Sequence, residues 1–326
     1  PTTLPLQGVR SFNLTPSDPS MFILMGIPGL EVAHVWISIP FSMFYIIGNS
    51  LILFVIKTQK NLHQPMYLFL SMLSVTDLGL SVSTLPTMLS VFLFNTREIG
   101  IDVCLTQLFF IQTFLFMESS VLLAMAFDRF VAIHHPLRYA STSTSARIGN
   151  IGLAIIIRGA GLHIPAVILL KRLPYGRIQP LSYSYCLYPD VMKMACADIT
   201  PSSFYGLFIV FSSLGLDSVL ITLSYIMILQ TVLSITSWQE RLKALNTCVS
   251  HICVTLLFYI LPISLSLIQR FKKKTLHQSE ILLSYLHLFL TPVLNPIVYS
   301  IKTKEIRKRI MKIFQNYSTN RLQWGR

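Results

Sequence analysis

The sequence predicts an all-α membrane protein: a seven-transmembrane helix bundle followed by a short amphipathic cytoplasmic helix. Three observations lead there. Hydrophobic residues make up 53% of the 326 residues and charged residues only 12%, with a mean hydropathy of +0.62. Soluble domains carry about twice that charged share, so a water-soluble enzyme is excluded. Seven stretches are apolar over the roughly 20 residues that a helix needs to cross about 30 Å of hydrocarbon. The basic residues behind the formal net charge of +13 gather mainly on one side of those stretches.

The predicted spans are 35–56, 66–94, 103–127, 148–170, 199–235, 244–269 and 281–301. The fourth is the weakest, because Arg158 and His163 interrupt it. The connections are too short for a folded soluble module. The chain therefore divides into an extracellular segment (1–30), the membrane domain (31–301) and a cytoplasmic helix and tail (302–326). Seven spans put the two ends on opposite sides. With the N-terminus outside, fifteen Lys and Arg face the cytosol and ten face outward, as the positive-inside rule prefers. Asn13-Leu14-Thr15 is a glycosylation acceptor sequence that requires the lumenal side, which gives the same orientation. The excess positive charge is then a cytoplasmic face suited to anionic lipid headgroups, and no nucleic-acid partner is expected.

Ionisable groups inside a bilayer are costly, so each is a candidate functional residue. Asp77, Glu118, Arg158 and Asp217 are such groups, joined by His163 and His287. Asp77 and Glu118 fall at similar depth in adjacent spans, and two carboxylates in a dry site either share a proton or hold a cation. Cys248, His251 and Cys253 raise the question of zinc. The two cysteines are five residues apart and poorly co-facial on a helix, so a packed, partly polar face is the better reading.

Five strings in order carry a family resemblance. They are Phe22-Ile-Leu-Met-Gly-Ile-Pro-Gly-Leu-Glu31 and Pro65-Met-Tyr-Leu-Phe-Leu-Ser-Met-Leu-Ser-Val-Thr-Asp77. Next come Met125-Ala-Phe-Asp-Arg-Phe-Val-Ala-Ile133, Lys243-Ala-Leu-Asn-Thr-Cys-Val-Ser-His251 and Pro292-Val-Leu-Asn-Pro-Ile-Val-Tyr-Ser300. Together they resemble the olfactory (odorant) receptors, a branch of the rhodopsin-like G-protein-coupled receptors, over about residues 22–314. The Gly-Ile-Pro-Gly-Leu-Glu string is similar to the class I, or fish-like, subgroup.

The resemblance implies a receptor that binds a small-molecule odorant and activates a heterotrimeric stimulatory G protein, raising cyclic AMP at the plasma membrane. It implies that Arg129, beside Asp128, is a latch freed on activation, with Tyr225 and Tyr299 rearranging around it. Phe130 replaces the more usual tyrosine and His134 stands where the family often has cysteine. Asp77 matches a sodium-binding aspartate, with Asn49, Glu118 and Asn295 as partners; a hydrogen-bonded polar cluster is the alternative. Tyr259 resembles the toggle position beneath the ligand. Cys104 and Cys186 match the family's extracellular disulfide, in a compartment that favours one. A second bridge within the same loop is usual among the relatives, yet Gly176 stands where the partner of Cys196 is expected. Cys196 is therefore read as a free thiol.

Two absences narrow the ligand. Span seven has no lysine for a retinal Schiff base, and Ile111 stands where amine receptors carry aspartate. The expected pocket walls are Phe110, Ile111, Leu115, Phe116, Phe204, Phe208 and Ile263, with Gln112 as the polar group on span three. Ser266 and Arg270 lie four apart on one helix face, and a guanidinium beside a hydroxyl is a good receiver for a carboxylate. Class I receptors as a group tend toward carboxylic acids. The alternative for Arg270 is an interfacial anchor, like Lys272–Lys274. Tyr188 and Pro189 replace polar residues common after the staple cysteine, so a relative's ligand does not transfer directly. No constellation suggests catalysis. A transporter or channel is disfavoured by the lack of an inverted repeat, whereas a non-olfactory metabolite sensor of the same architecture stays open.

Overall fold

The computed structural model describes residues 21–25, 31–135, 139, 144–176, 178–270, 277–302, 305–312 and 315. Seven long helical crossings appear in the predicted order. They are α1 (Glu31–Thr58), α2 (Pro65–Leu93), α3 (Ile101–His134), α4 (Ser145–Lys171), a fifth crossing in three pieces, α8 (Trp238–Arg270) and α9 (His277–Lys302). The fifth crossing joins α6 (Thr200–Val210) to α7 (Leu216–Ser234) through a π turn at Phe211–Gly215. A short helix, α5 (Tyr188–Lys193), sits in the loop before it. Local sequence explains several boundaries. Pro65 opens α2, where a missing N–H costs nothing, and the Thr144 side chain caps α4 by accepting from the Arg147 N–H at 3.4 Å.

α3 is the central helix, packed against α2, α4, α7 and α8. Its first turns join Phe22, Leu24 and Leu181 in one apolar cluster, while Leu122 and Ala126 join Leu70, Leu73 and Val254 nearer its C-terminal end. Residues 305–312 form a further helix, α10. Its Ile306 is fully buried against the inner cluster and Ile310 packs beside it, whereas Arg307, Lys308, Arg309 and Lys312 are exposed. That is the amphipathic helix expected after the seventh span, with its apolar positions four apart.

One element was not foreseen. Three short strands, β1 (Met21–Leu24), β2 (Glu98–Gly100) and β3 (Ile178–Leu181), form a sheet in the order β2-β1-β3. β1 runs antiparallel to β2, with Phe22 opposite Ile99, and parallel to β3, with Phe22 opposite Gln179. The period of two along a strand buries Phe22 and Leu24 on one face.

The long outer loop is fastened to α3 by the Cys104–Cys186 disulfide. Gln107, one turn along α3, reinforces it by accepting from the Cys186 N–H at 3.1 Å, while its amide donates to the Ser83 carbonyl and Thr87 hydroxyl. Cys196 is an exposed free thiol. Where the relatives' second bridge would close the loop, backbone pairing does so: Tyr175 bridges Ala195, and the Cys196 N–H donates to the Pro174 carbonyl at 2.9 Å. Tyr175 also donates to the Leu170 carbonyl and meets Phe22 edge-on at 5.4 Å. Burial pushes its phenol up to about 12. Asn13 lies outside the described residues.

Because the disulfide spans 82 residues, Cys104→Ser should destabilise the receptor by about 2–5 kcal/mol. Thermal unfolding of the purified protein and surface staining of cells measure this, with Cys196→Ser as a near-neutral control.

Candidate functional site

A cavity of about 180 Å³ lies in the outer half of the bundle, bounded by α3, α4, the π turn, α8 and α9. The outer loop roofs it with Tyr185, Leu187 and Pro189. Two hydroxyl pairs hold that roof to α9: Tyr185 with Ser284, and Ser184 with Tyr285. The Ser184 N–H also donates to the Tyr285 oxygen at 3.0 Å. Tyr188 fastens the roof to α6, donating to the Ser202 carbonyl at 2.8 Å. Its ring lies so close to Gly206 that a Cβ there would stand 2.8 Å away, which is why this position has no side chain.

Of the expected walls, Ile111, Gln112, Leu115 and Phe116 line the cavity. Phe110, Phe204, Phe208 and Ile263 do not; they are exposed on the outside of the bundle. The reason is physical. Lipid is as apolar as a protein interior, so apolarity alone does not separate the two faces of a membrane helix. Ser266 and Arg270 lie on the last turn of α8, and their side chains fall outside the described residues. The cavity has lining residues that the sequence reading did not place there: His163, Ser213, Ser284 and His287. Their polarity within apolar spans was the available signal, and only the two histidines were marked by it.

Beneath the cavity is a polar floor. Arg158 of α4 contacts Asp217 of α7 through both terminal nitrogens at 3.1 Å. It also donates to Ser120 Oγ at 3.2 Å and to the Ser212 carbonyl at 2.6 Å, which the widened π turn presents to it. Its guanidinium lies 4.6 Å over the Phe116 ring, an added attraction between cation and π face. Ser119 donates to Asp217 at 2.8 Å, which spends its only hydrogen. The 2.7 Å bond between Ser119 and Tyr259 is therefore donated by the tyrosine. Tyr259 does not line the cavity; it stands one bond below Ser119, which does.

Asp77 and Glu118 converge as their depth suggested. The Asn295 amide nitrogen lies 3.1 Å from one Asp77 oxygen, 3.3 Å from the other and 3.3 Å from Glu118. Asn49 donates to the Tyr45 and Pro292 carbonyls. All four side chains are buried, and the amide oxygens of Asn49 and Asn295 have no partner among the described residues. At the C-terminal end of α3, Asp128 accepts from Arg129 and Tyr139, both at 3.0 Å. Tyr225 bonds His251 across α7 and α8; the Tyr299 side chain is outside the described residues. Cys248 is buried and Cys253 exposed, so they share no face that could hold a metal.

The chain matches the family described as Olfactory receptor over residues 41–317. It is 55% identical to human olfactory receptor 51G2 over 305 residues, covering 93% of this chain and 97% of that one. It is 52% identical to human olfactory receptor OR51C1 over 310 residues, covering 94% and 99%. Human olfactory receptor 51E1 is 48% identical over 301 residues, covering 91% and 94%.

Removing one partner of a buried ion pair leaves the other charge uncompensated, which costs on the order of 3 kcal/mol. Arg158→Met should lower the unfolding temperature of the purified receptor sharply. The double variant Arg158→Met with Asp217→Leu should recover part of that loss, a non-additivity that only a direct pair explains.

Proposed function

The chain belongs to the olfactory receptor family of rhodopsin-like G-protein-coupled receptors, and from that premise we propose that it recognises a small carboxylic acid and activates a stimulatory G protein, raising cyclic AMP. As a family member it is a multi-pass plasma-membrane receptor for odorants, coupled to a G protein, and not an enzyme. The observation that carries the ligand reading is the roofed cavity directly above Ser119 and Tyr259. Among the described residues no Asp, Glu, Lys or Arg lines it, so a cationic ligand would find no counter-ion among them. Arg270 and Ser266, one turn apart at the outer end of α8, supply the residue types that receive a carboxylate. The acid group then sits toward the outer opening and the hydrocarbon chain points inward.

At the opposite end, Asp128 holding Arg129 supports its reading as a latch in the resting receptor. Release of that pair would free Arg129 for the G protein, with Tyr225 and Tyr299 moving beside it. The N-terminus lies outside, and the exposed bases of α10 meet anionic lipid.

Asp77, Glu118, Asn49 and Asn295 would hold sodium. They bring carboxylate and amide oxygens together, two of the amide oxygens without partners among the described residues, and oxygen donors suit a hard cation. Such an ion would supply the positive charge that two neighbouring buried carboxylates lack.

Two experiments test these readings. In cells, cyclic AMP responses to a panel of acids, alcohols, esters and amines should rank acids first, and Arg270→Ala at matched surface expression should weaken them by about tenfold or more. Equal potency of acids on that variant sinks the carboxylate anchor. For the ion, sodium should raise the unfolding temperature above that in choline at equal ionic strength, and Asp77→Asn should remove the difference. A sodium effect unchanged by that substitution places the ion elsewhere.

A further inference from the structure

The deep end of the cavity differs chemically from its outer end. His163 of α4 is buried, with 3% of its surface exposed, and lines the cavity. Its Nδ1 lies 2.8 Å from the Gly159 carbonyl. A carbonyl only accepts, so Nδ1 carries the hydrogen. Among the described residues no carboxylate pairs with the ring, and a neutral imidazole with Nδ1 protonated has only a lone pair left, on Nε2. Phe116 locks the ring plane, meeting it edge-on at 5.6 Å.

Ser213, in the π turn, makes the same commitment. Its hydroxyl donates to the Ile209 carbonyl at 3.0 Å, so toward the cavity it offers only oxygen lone pairs. Ser213 is also buried and lines the cavity. Two separate elements, α4 and the π turn, thus each spend their donor on their own backbone and leave an acceptor. Ser119, beside them, has both its hydrogen and a lone pair engaged by Asp217 and Tyr259.

We propose that His163 and Ser213 form a hydroxyl-reading subsite, so that this receptor prefers ligands carrying an alcohol O–H at the end that enters the cavity first. The proposal deepens the ligand reading above and rests on the cavity being the odorant site. A carboxylate or ether oxygen placed there would face lone pairs. An ammonium would find no free carboxylate, because Asp217 is held by Arg158 and Ser119. A hydroxyl donates to either acceptor at no charge cost. With the acid group at the outer opening, the favoured class is the hydroxy acids, with simple alcohols as the reduced form of the same recognition.

The test reads binding directly, by ligand-induced thermal stabilisation of the purified receptor, and so depends on no G protein. Two pairs are titrated: 6-hydroxyhexanoic against 6-methoxyhexanoic acid, and 1-hexanol against 1-methoxyhexane. The hydroxyl member of each pair should bind about fivefold more tightly, the scale of one net hydrogen bond. His163→Phe keeps the aromatic edge but removes the acceptor, and Ser213→Ala is the smaller change that should fold in any case. Each should shrink the preference, and the double variant should erase it. Should the acids fail to bind while hexanol still exceeds its ether, the subsite stands and the carboxylate reading falls. Equal binding within both pairs, no binding by any member, or an unchanged preference in folded variants overturns the proposal.

Discussion

The ion pair between Arg158 and Asp217 governs how this bundle is put together. Within hydrocarbon there is no water to complete a guanidinium's hydrogen bonds, so every donor must find a protein acceptor. Asp217, Ser120 and the Ser212 carbonyl accept from its two terminal nitrogens and the Phe116 face lies against it, so α3, the π turn and α7 all meet on Arg158. α4 exposes apolar residues such as Leu153, Ile156, Ile157 and Ile164 to the lipid side. Since lipid competes evenly for such contacts, Arg158 adds a polar tie to the packing of α4, whose Ile155, Gly159, Ala166 and Leu170 are buried. The π turn takes part in the same tie, presenting the Ser212 carbonyl to Arg158.

α3 distributes the remaining polar groups. Glu118 and Ser119 are consecutive, hence about 100° apart around the helix. One meets Asp77 and Asn295 on α2 and α9; the other meets Asp217 and Tyr259 on α7 and α8. Two clusters of different chemistry therefore sit at one level of the bundle with α3 between them. The first gathers two carboxylates with the Asn295 and Asn49 amides. The second is already charge-balanced and reaches the cavity. Sliding or rotating α3 would disturb both, which makes it the common reference for the helices that move and those that do not.

Much of this was legible in the sequence. Seven apolar stretches gave the crossings, because membrane helices need length and apolarity and little else. Asp77 with Glu118 was readable because ionisable residues in spans are rare and have few possible partners, whereas the Cys104–Cys186 pairing came from the family resemblance. The outer sheet was not. Its strands are three and four residues long, and their pairing joins segments more than seventy residues apart, for which no local pattern exists. The cavity was half legible: polar Gln112 faces inward as polarity demands, while Phe110, Phe204, Phe208 and Ile263 show how apolar residues carry no such direction. His163 and His287 were marked as costly intramembrane groups, but their place on the wall required the turn of α4 and α9 relative to α3. The polarity of Ser213 was too weak a signal to place it, since its role depends on a π turn that shifts the register of the fifth crossing.

The shared serine limits how strongly a ligand can act on α8. Ser119 lines the cavity and receives the Tyr259 hydroxyl. A ligand shifts a conformational equilibrium only by binding the two states unequally. Any motion of α8 that draws Tyr259 away must rehouse a buried phenol, which costs about 1–3 kcal/mol if it finds no new partner. Typical couplings between sites are of the same size. The Ser119–Tyr259 bond thus sets one threshold of that size for α8, beside its packing against α9 and the Tyr225–His251 bond. Arg158 and Asp217 make that threshold sharp: they are tied to α3, α4 and the π turn, so Tyr259 can leave without dismantling the ion pair beneath it.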